Sequence, residues 1–125
     1  MRIVIIEDEP LTADDLLQTV LLLQPDAEVL TIIPSVKKGV AFFESQPQVD
    51  LVFSDIQLLD GPSFEIFKTV TISAPVICCT AFNEFALEAF KANGIDYILK
   101  PFSTEAIQQA LKKYQALKQS FLSTE

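Results

Sequence analysis

Five polar side chains in this chain directly follow short apolar runs, at the points where strands of a sheet would end. They are Glu7, Asp8, Asp55, Thr80 and Lys100. Continuous apolar runs of this length predict strands that are buried on both faces of a parallel sheet. Because ligand sites in open parallel sheets lie beyond the carboxyl ends of the strands, we expect these side chains to converge on one spot.

The chemistry of these side chains indicates phosphoryl transfer assisted by a cation. Three carboxylates in one place suit a hard divalent cation such as Mg²⁺. A lysine and a hydroxyl beside it suit a transferring phosphoryl group. Taken singly, Asp55 would be a turn or capping residue, Thr80 an ordinary strand residue and Lys100 a solvated lysine. Their joint placement at strand ends predicts an aspartyl-phosphate site.

The elements that would position these residues alternate between strand and helix. The predicted strands cover residues 3–6, 27–33, 51–53, 76–79 and 97–99. A helix follows each strand, and the expected first residues or caps of these helices are Pro10, Ser35, Pro62, Asn83 and Ser103. This alternation predicts an α/β fold: a five-stranded, doubly wound parallel sheet in the flavodoxin-like order 2-1-3-4-5, with helices on both faces.

Three local features refine these elements. Residues 58–62 have turn chemistry, and the fourth helix is expected to be short, near Asn83 to Ala92, with a stop at Asn93-Gly94. The last helix has an apolar stripe at helical spacing, which predicts that its members are buried: Ile107, Ala110, Leu111, Tyr114 and Leu117.

Length and composition describe one acidic domain without histidine. The 125 residues suit a single domain spanning 1–125, and a hydrophobic fraction of 50% is enough for a sizeable core. A net charge of −8 without a basic patch argues against nucleic-acid binding by this segment itself. The absence of histidine excludes catalytic triads, zinc sites with imidazole ligands and a histidine phosphocarrier.

The same composition bears on location and redox state. No apolar run is long enough to span a membrane and no signal peptide precedes Ile3, so we expect a cytoplasmic protein without membrane contact. Cys78 and Cys79 are adjacent within a predicted strand, so their side chains point to opposite faces of the sheet. A disulfide framework is therefore excluded, and buried thiols are expected.

Four runs of the sequence resemble the receiver domain of bacterial two-component response regulators, over nearly the whole chain. They are residues 5–10, 53–58, 80–82 and 96–102. Residues 81–90 together with 96–101 are similar to receivers that precede LytTR-type DNA-binding domains. The resemblance implies a single receiver domain, either excised from a longer regulator with a C-terminal DNA-binding domain or standing alone.

The resemblance also implies a role for each residue of the site. Asp55 would accept the phosphoryl group. Asp8 would ligate Mg²⁺ directly, Glu7 through a water molecule, and Gln57 through its backbone carbonyl. Lys100 would pair with the phosphoryl oxygens as a point charge.

The implied partners and output follow from the same family. A histidine kinase, or a small phosphodonor, would supply the phosphoryl group. Thr80 would donate its hydroxyl to that group, and Tyr97 would move inward as Thr80 moves. The face formed by the fourth helix, fifth strand and fifth helix would change, form a homodimer and control transcription. The domain would catalyse only its own phosphorylation and slow dephosphorylation, so it is not expected to be an enzyme.

The sequence departs from the family pattern at two positions, Glu7 and Leu59. Glu7 stands where aspartate is commoner, which lengthens one metal-binding side chain by a methylene, and Leu59 stands where many receivers have proline.

The Lys100-Pro101 bond is expected to be cis. Phe82 is expected to screen the phosphoryl group from water and to slow self-dephosphorylation.

Three other functions are less well supported by the sequence. A dehalogenase-type phosphatase would need a second aspartate where Gln57 stands. A pseudo-receiver, acting only as a binding scaffold, would lack one of the five site residues, and none is missing. Flavin binding would need a phosphate-cradling loop after the first strand, where residues 7–10 are acidic and would repel a phosphate.

Overall fold

The structure, a computed structural model, describes residues 1–81 and 94–123. For Thr80 and for residues 94–97 and 120–123 it describes the backbone only. The predicted helix near Asn83 to Ala92, its stop at Asn93 and the side chain of Phe82 lie outside the described residues. No helix of the described part of the chain is long and apolar enough to cross a membrane.

A five-stranded parallel sheet forms the centre of the domain. Its strands are β1 (Arg2–Ile6), β2 (Glu28–Ile33), β3 (Leu51–Ser54), β4 (Val76–Thr80) and β5 (Gly94–Leu99). Their spatial order is β2-β1-β3-β4-β5. The predicted fold class and strand order are therefore confirmed.

Helices cover both faces of the sheet, as predicted. One core layer lies beneath α1 (Pro10–Leu23) and the C-terminal helix (Thr104–Ser123), and the other lies beneath α2 (Val36–Glu44) and α3 (Phe64–Thr69). Successive residues of β1 divide between the layers: Ile3 and Ile5 belong to the first, Val4 and Ile6 to the second. This alternation is the ordinary pleat of a strand, applied to an apolar run that has no solvent face.

Most of the helix starts agree with the sequence. Pro10 is the first residue of α1, where its missing amide hydrogen costs no hydrogen bond. The Ser35 hydroxyl accepts a hydrogen bond from the Lys38 amide at 3.1 Å, and Ser103 does the same for Ala106 at 3.1 Å. Both predicted serine caps are confirmed.

The start of the third helix was wrongly predicted at Pro62. Residues Gln57–Leu58 and Gly61–Pro62 pair as a short antiparallel ribbon, which we call the ribbon below. Gly61 has a φ of +142°, which L-residues rarely adopt, and this allows the chain to turn back within two residues. Pro62 is therefore held in the ribbon, and α3 begins at Phe64.

The buried stripe of the C-terminal helix is confirmed except at its far end. Its first four members, Ile107, Ala110, Leu111 and Tyr114, are buried. Leu117 is 40% exposed, one turn beyond the last residue that the helix buries in this core layer. The apolar periodicity of the sequence therefore extends beyond the part of the helix that is buried in the core.

Candidate functional site

The carboxyl ends of three strands place the main charged residues of the site. Glu7 follows β1, Asp55 follows β3 and Lys100 follows β5. The Glu7 amide donates to the Ile33 carbonyl at 2.9 Å, and the Asp55 amide donates to the Ile6 carbonyl at 2.8 Å. Hydrogen bonds that continue the sheet thus fix both acidic residues at its carboxyl edge.

Lys100 bridges the two buried carboxylates. Its Nζ donates to Glu7 Oε1 at 2.5 Å and to Asp55 Oδ2 at 2.8 Å. The side chains are 20% exposed for Lys100, 3% for Glu7 and 11% for Asp55. Charges this far from solvent need an opposite charge or hydrogen-bond donors, and here each carboxylate has both.

Asp8 completes an acidic cluster with these residues. Carboxylate oxygens of Glu7, Asp8 and Asp55 all lie within 4.8 Å of one another. The ammonium group of Lys100 pairs with two of these three carboxylates, so the cluster carries an excess of negative charge. Hard oxygen ligands with this excess fit a divalent cation such as Mg²⁺.

The electrostatics of the bridge favour a charged lysine. Burial raises the pKa of the Glu7 carboxyl, and the hydrogen bonds from Lys100 and from the Glu9 amide offset this only in part. Burial on its own would lower the pKa of Lys100, but its hydrogen bonds to Asp55 and Glu7 outweigh that effect and raise it. Lys100 therefore remains a cation at neutral pH beside the Asp55 carboxylate.

The second oxygen of Asp55 is held by the backbone of the next loop. Asp55 Oδ1 accepts from the Ile56 amide at 2.7 Å and, more weakly, from the Gln57 amide at 3.4 Å. With Lys100 on Oδ2, both oxygens of this carboxylate have partners and its orientation is fixed. Gln57, the predicted source of a carbonyl ligand, is the first residue of the ribbon.

The predicted site residues are thus brought together in part. Glu7, Asp8, Asp55 and Lys100 converge. The backbone of Thr80 ends β4, the strand between β3 and β5, but its side chain and that of Tyr97 lie outside the described residues. The Lys100-Pro101 peptide bond is cis, as predicted.

The two cysteines are buried thiols, as expected. Cys78 lies in the layer under α2 and α3, and Cys79 in the opposite layer. Burial, with a smaller contribution from the Asp55 charge, raises the pKa of Cys78 to about 12. The pKa of Cys79 is also raised, again mainly by burial. Both therefore favour the protonated thiol, which is the less reactive form.

Sequence reasoning missed the contacts of one residue in the loop after Asp55, namely Asp60, which it placed only within a turn. Its carboxylate accepts hydrogen bonds from the backbone amides of Val36 and Lys37, at the start of α2. These bonds lower the pKa of Asp60. No periodic or motif signal in the sequence connects residues so far apart.

Fold and site together define the class of this protein. Residues 3–112 match the family model of the response regulator receiver domain, and the chain belongs to that family. It is a receiver domain of the two-component systems, a phosphoacceptor signalling module rather than an enzyme in the usual sense.

Curated proteins that are similar in sequence support this assignment. The chain is 36% identical, over 99% of its own length, to the sensory transduction protein LytT of Bacillus cereus, and covers 51% of that protein. It is 35% identical, over 94% of its length, to the transcriptional regulatory protein LytR of Staphylococcus aureus, and covers 48% of it. The chain spans about half the length of the curated relatives it matches. The predicted resemblance to LytTR-type regulators is confirmed.

Solved structures share the fold. The response regulatory domain of protein mrkE from Klebsiella pneumoniae is 27% identical and has a TM-score of 0.77. The match covers 98% of this chain and 99% of that one. A CheY-like receiver domain from Methylobacillus flagellatus is 19% identical, with a TM-score of 0.74 over 91% of this chain and 98% of its own. The second likeness is one of fold alone.

Proposed function

We propose that Asp55 is the residue that accepts the phosphoryl group, in a reaction that requires Mg²⁺. One observation carries this: Lys100 donates to Asp55 and Glu7 at once, while Asp8 places a third carboxylate within 4.8 Å. An isolated capping aspartate would have neither a largely buried lysine on one oxygen nor two further acids beside it.

The acceptor reaction follows from this arrangement. A carboxylate oxygen of Asp55 forms a bond to phosphorus as the bond from phosphorus to the donor breaks, and the donor atom leaves with the electron pair. When the donor is a kinase phosphohistidine, that atom is an imidazole nitrogen. Lys100, already hydrogen-bonded to the acceptor carboxylate, is positioned to neutralise charge on the transferring oxygens.

The same residues would hold the cation. Asp8 and Asp55 would bind it through carboxylate oxygens, Glu7 through a water molecule and Gln57 through its backbone carbonyl. When bound, Mg²⁺ supplies the positive charge that lets three carboxylates and a phosphoryl dianion occupy one site. Both oxygens of Glu7 already have protein partners, since Oε1 accepts from Lys100 and Oε2 accepts from the Glu9 amide at 3.0 Å.

The proposal also covers the source of the phosphoryl group and the output of the domain. A histidine kinase supplies the phosphoryl group, and the modified domain uses Thr80 and Tyr97 to change the face that includes β5 and the C-terminal helix. Support comes from the order of the sheet, in which β4 and β5 are neighbours next to the acceptor strand β3. Because relatives such as LytR are named transcriptional regulators and are about twice as long, we propose that a second segment carries a transcriptional output in the cytoplasm.

Intact-mass spectrometry with a small phosphodonor tests the assignment of Asp55. In Mg²⁺ the wild type should gain a single phosphoryl group, and EDTA should prevent it. Asp55→Asn should gain none. Asp26→Asn is the matched control, since it removes an exposed aspartate from the loop before β2, at the other edge of the sheet. An adduct that survives Asp55→Asn, or that forms equally well in EDTA, contradicts the proposal.

A further inference from the structure

Asp60 joins the loop after the acceptor to the start of α2. Its Oδ1 accepts from the Val36 amide at 2.7 Å, and its Oδ2 accepts from the Lys37 amide at 3.0 Å. Val36 is the first residue of α2, so these two amides have no partner within the helix. A carboxylate at this position also interacts favourably with the helix dipole.

A second cap at the same helix end comes from a different place. The Ser35 hydroxyl accepts from the Lys38 amide at 3.1 Å, so three consecutive amides are satisfied by two side chains. Ser35 directly precedes the helix, whereas Asp60 lies 24 residues after Val36. The two caps therefore differ in what they connect: Ser35 closes the helix locally, and Asp60 links it to another loop.

The linked loop is the one that carries the predicted carbonyl ligand. Asp60 stands in the turn of the ribbon, which begins at Gln57, two residues after Asp55. At its base the loop is closed by the Ser63 amide, which donates to the Ile56 carbonyl at 2.7 Å. The other turn residue, Leu59, is 77% exposed, so burial of its side chain does not fix the tip. The Leu58 side chain is buried in the core layer under α2 and α3 and holds the base of the ribbon, whereas the bonds of Asp60 to α2 fix its tip.

We propose that Asp60 is a positioning residue for the cation site, because it fastens the ribbon to α2 and thereby holds the Gln57 carbonyl where a bound cation can use it. This inference rests on the proposed function, since the carbonyl has this role only if the acidic cluster binds Mg²⁺. Asp60 itself is not a ligand in this scheme and acts entirely through the backbone of the ribbon.

The test compares Asp60→Ala with Ser35→Ala, which removes the other cap of the same helix. Urea unfolding should show that both variants lose stability, because both expose helix amides. Calorimetric titration with Mg²⁺, without any phosphodonor, should separate them. For Asp60→Ala we expect the Kd for Mg²⁺ to rise about tenfold or more, as is typical when a residue that orients a ligand is removed. For Ser35→Ala we expect the wild-type Kd.

A second variant covers the case in which Asp60→Ala does not fold. Asp60→Asn keeps one acceptor oxygen and loses the other, so it should fold and should raise the Kd by a smaller factor. If the Asp60 variants bind Mg²⁺ like the wild type, or if Ser35→Ala weakens binding as much as they do, the inference is wrong while the proposed function stands. If the wild type binds no Mg²⁺, the proposed function fails and the inference fails with it.

Discussion

Lys100 donates to Glu7 and Asp55 at once, and those two side chains are only 3% and 11% exposed. Removing one partner of a buried ion pair leaves the other charge without compensation, which costs far more than loss of an exposed pair. Here the loss would fall on two carboxylates. Glu7 is sensitive to this loss, because burial already raises the pKa of its carboxyl.

We therefore predict that Lys100→Met destabilises the metal-free protein by about 3 kcal/mol, measured by urea unfolding in EDTA. Lys68→Met is the matched control, since the Lys68 ammonium lies 3.7 Å from Glu65 and 66% of its side chain is exposed. Loss of an exposed pair of this kind should cost less than about 1 kcal/mol. Equal losses in the two variants would show that the bridge of Lys100 contributes little to stability.

At the scale of the elements, α2 and α3 approach closely at Gly39. A Cβ added there would lie 2.9 Å from Ile66 Cγ1 and nearer still to Cδ1. Ile66 is completely buried, so its side chain has little room to move away. The absence of a side chain at Gly39 thus lets α2 pack closely against Ile66 of α3.

Gly39→Ala should consequently destabilise the domain, although alanine is the better helix former by about 1 kcal/mol. Overpacking of a buried contact costs roughly 1–3 kcal/mol, and we expect a net loss of that order in urea or thermal unfolding. The double variant Gly39→Ala, Ile66→Val removes Cδ1 and should lose less stability than the two single changes added together. Strict additivity, or a more stable Gly39→Ala, would contradict this account of the contact.

At the scale of the whole molecule, the parts that were predictable are those that the sheet dictates. Apolar runs that end in Glu7, Asp55 and Lys100 predict a common site, because parallel strands must present their carboxyl ends at one edge. The link from Asp60 to α2 was not predictable in this way. It joins two loops that are far apart in sequence, and a turn aspartate has the same appearance whether or not it binds a distant amide.

The exposed end of the C-terminal helix leads to a prediction about assembly. In the described part of the face expected to switch, Leu99 of β5 is 43% exposed and Leu117 is 40% exposed. A symmetric dimer through this face would remove apolar surface of this kind from water in both subunits. We therefore expect a beryllofluoride mimic of the phosphoryl group, added with Mg²⁺, to double the mass found by light scattering.

Two leucine variants test whether this face forms the dimer interface. Leu117→Gln should weaken this dimer, because it places an amide in the apolar contact of each subunit. Leu22→Gln changes a leucine that is 73% exposed on α1, a helix that is not part of the expected face, and should dimerise like the wild type. Equal effects of the two variants would place the interface elsewhere. A mass that stays monomeric across a wide concentration range would count against dimerisation, but the switch itself requires only that the phosphoryl group favour one of two conformations.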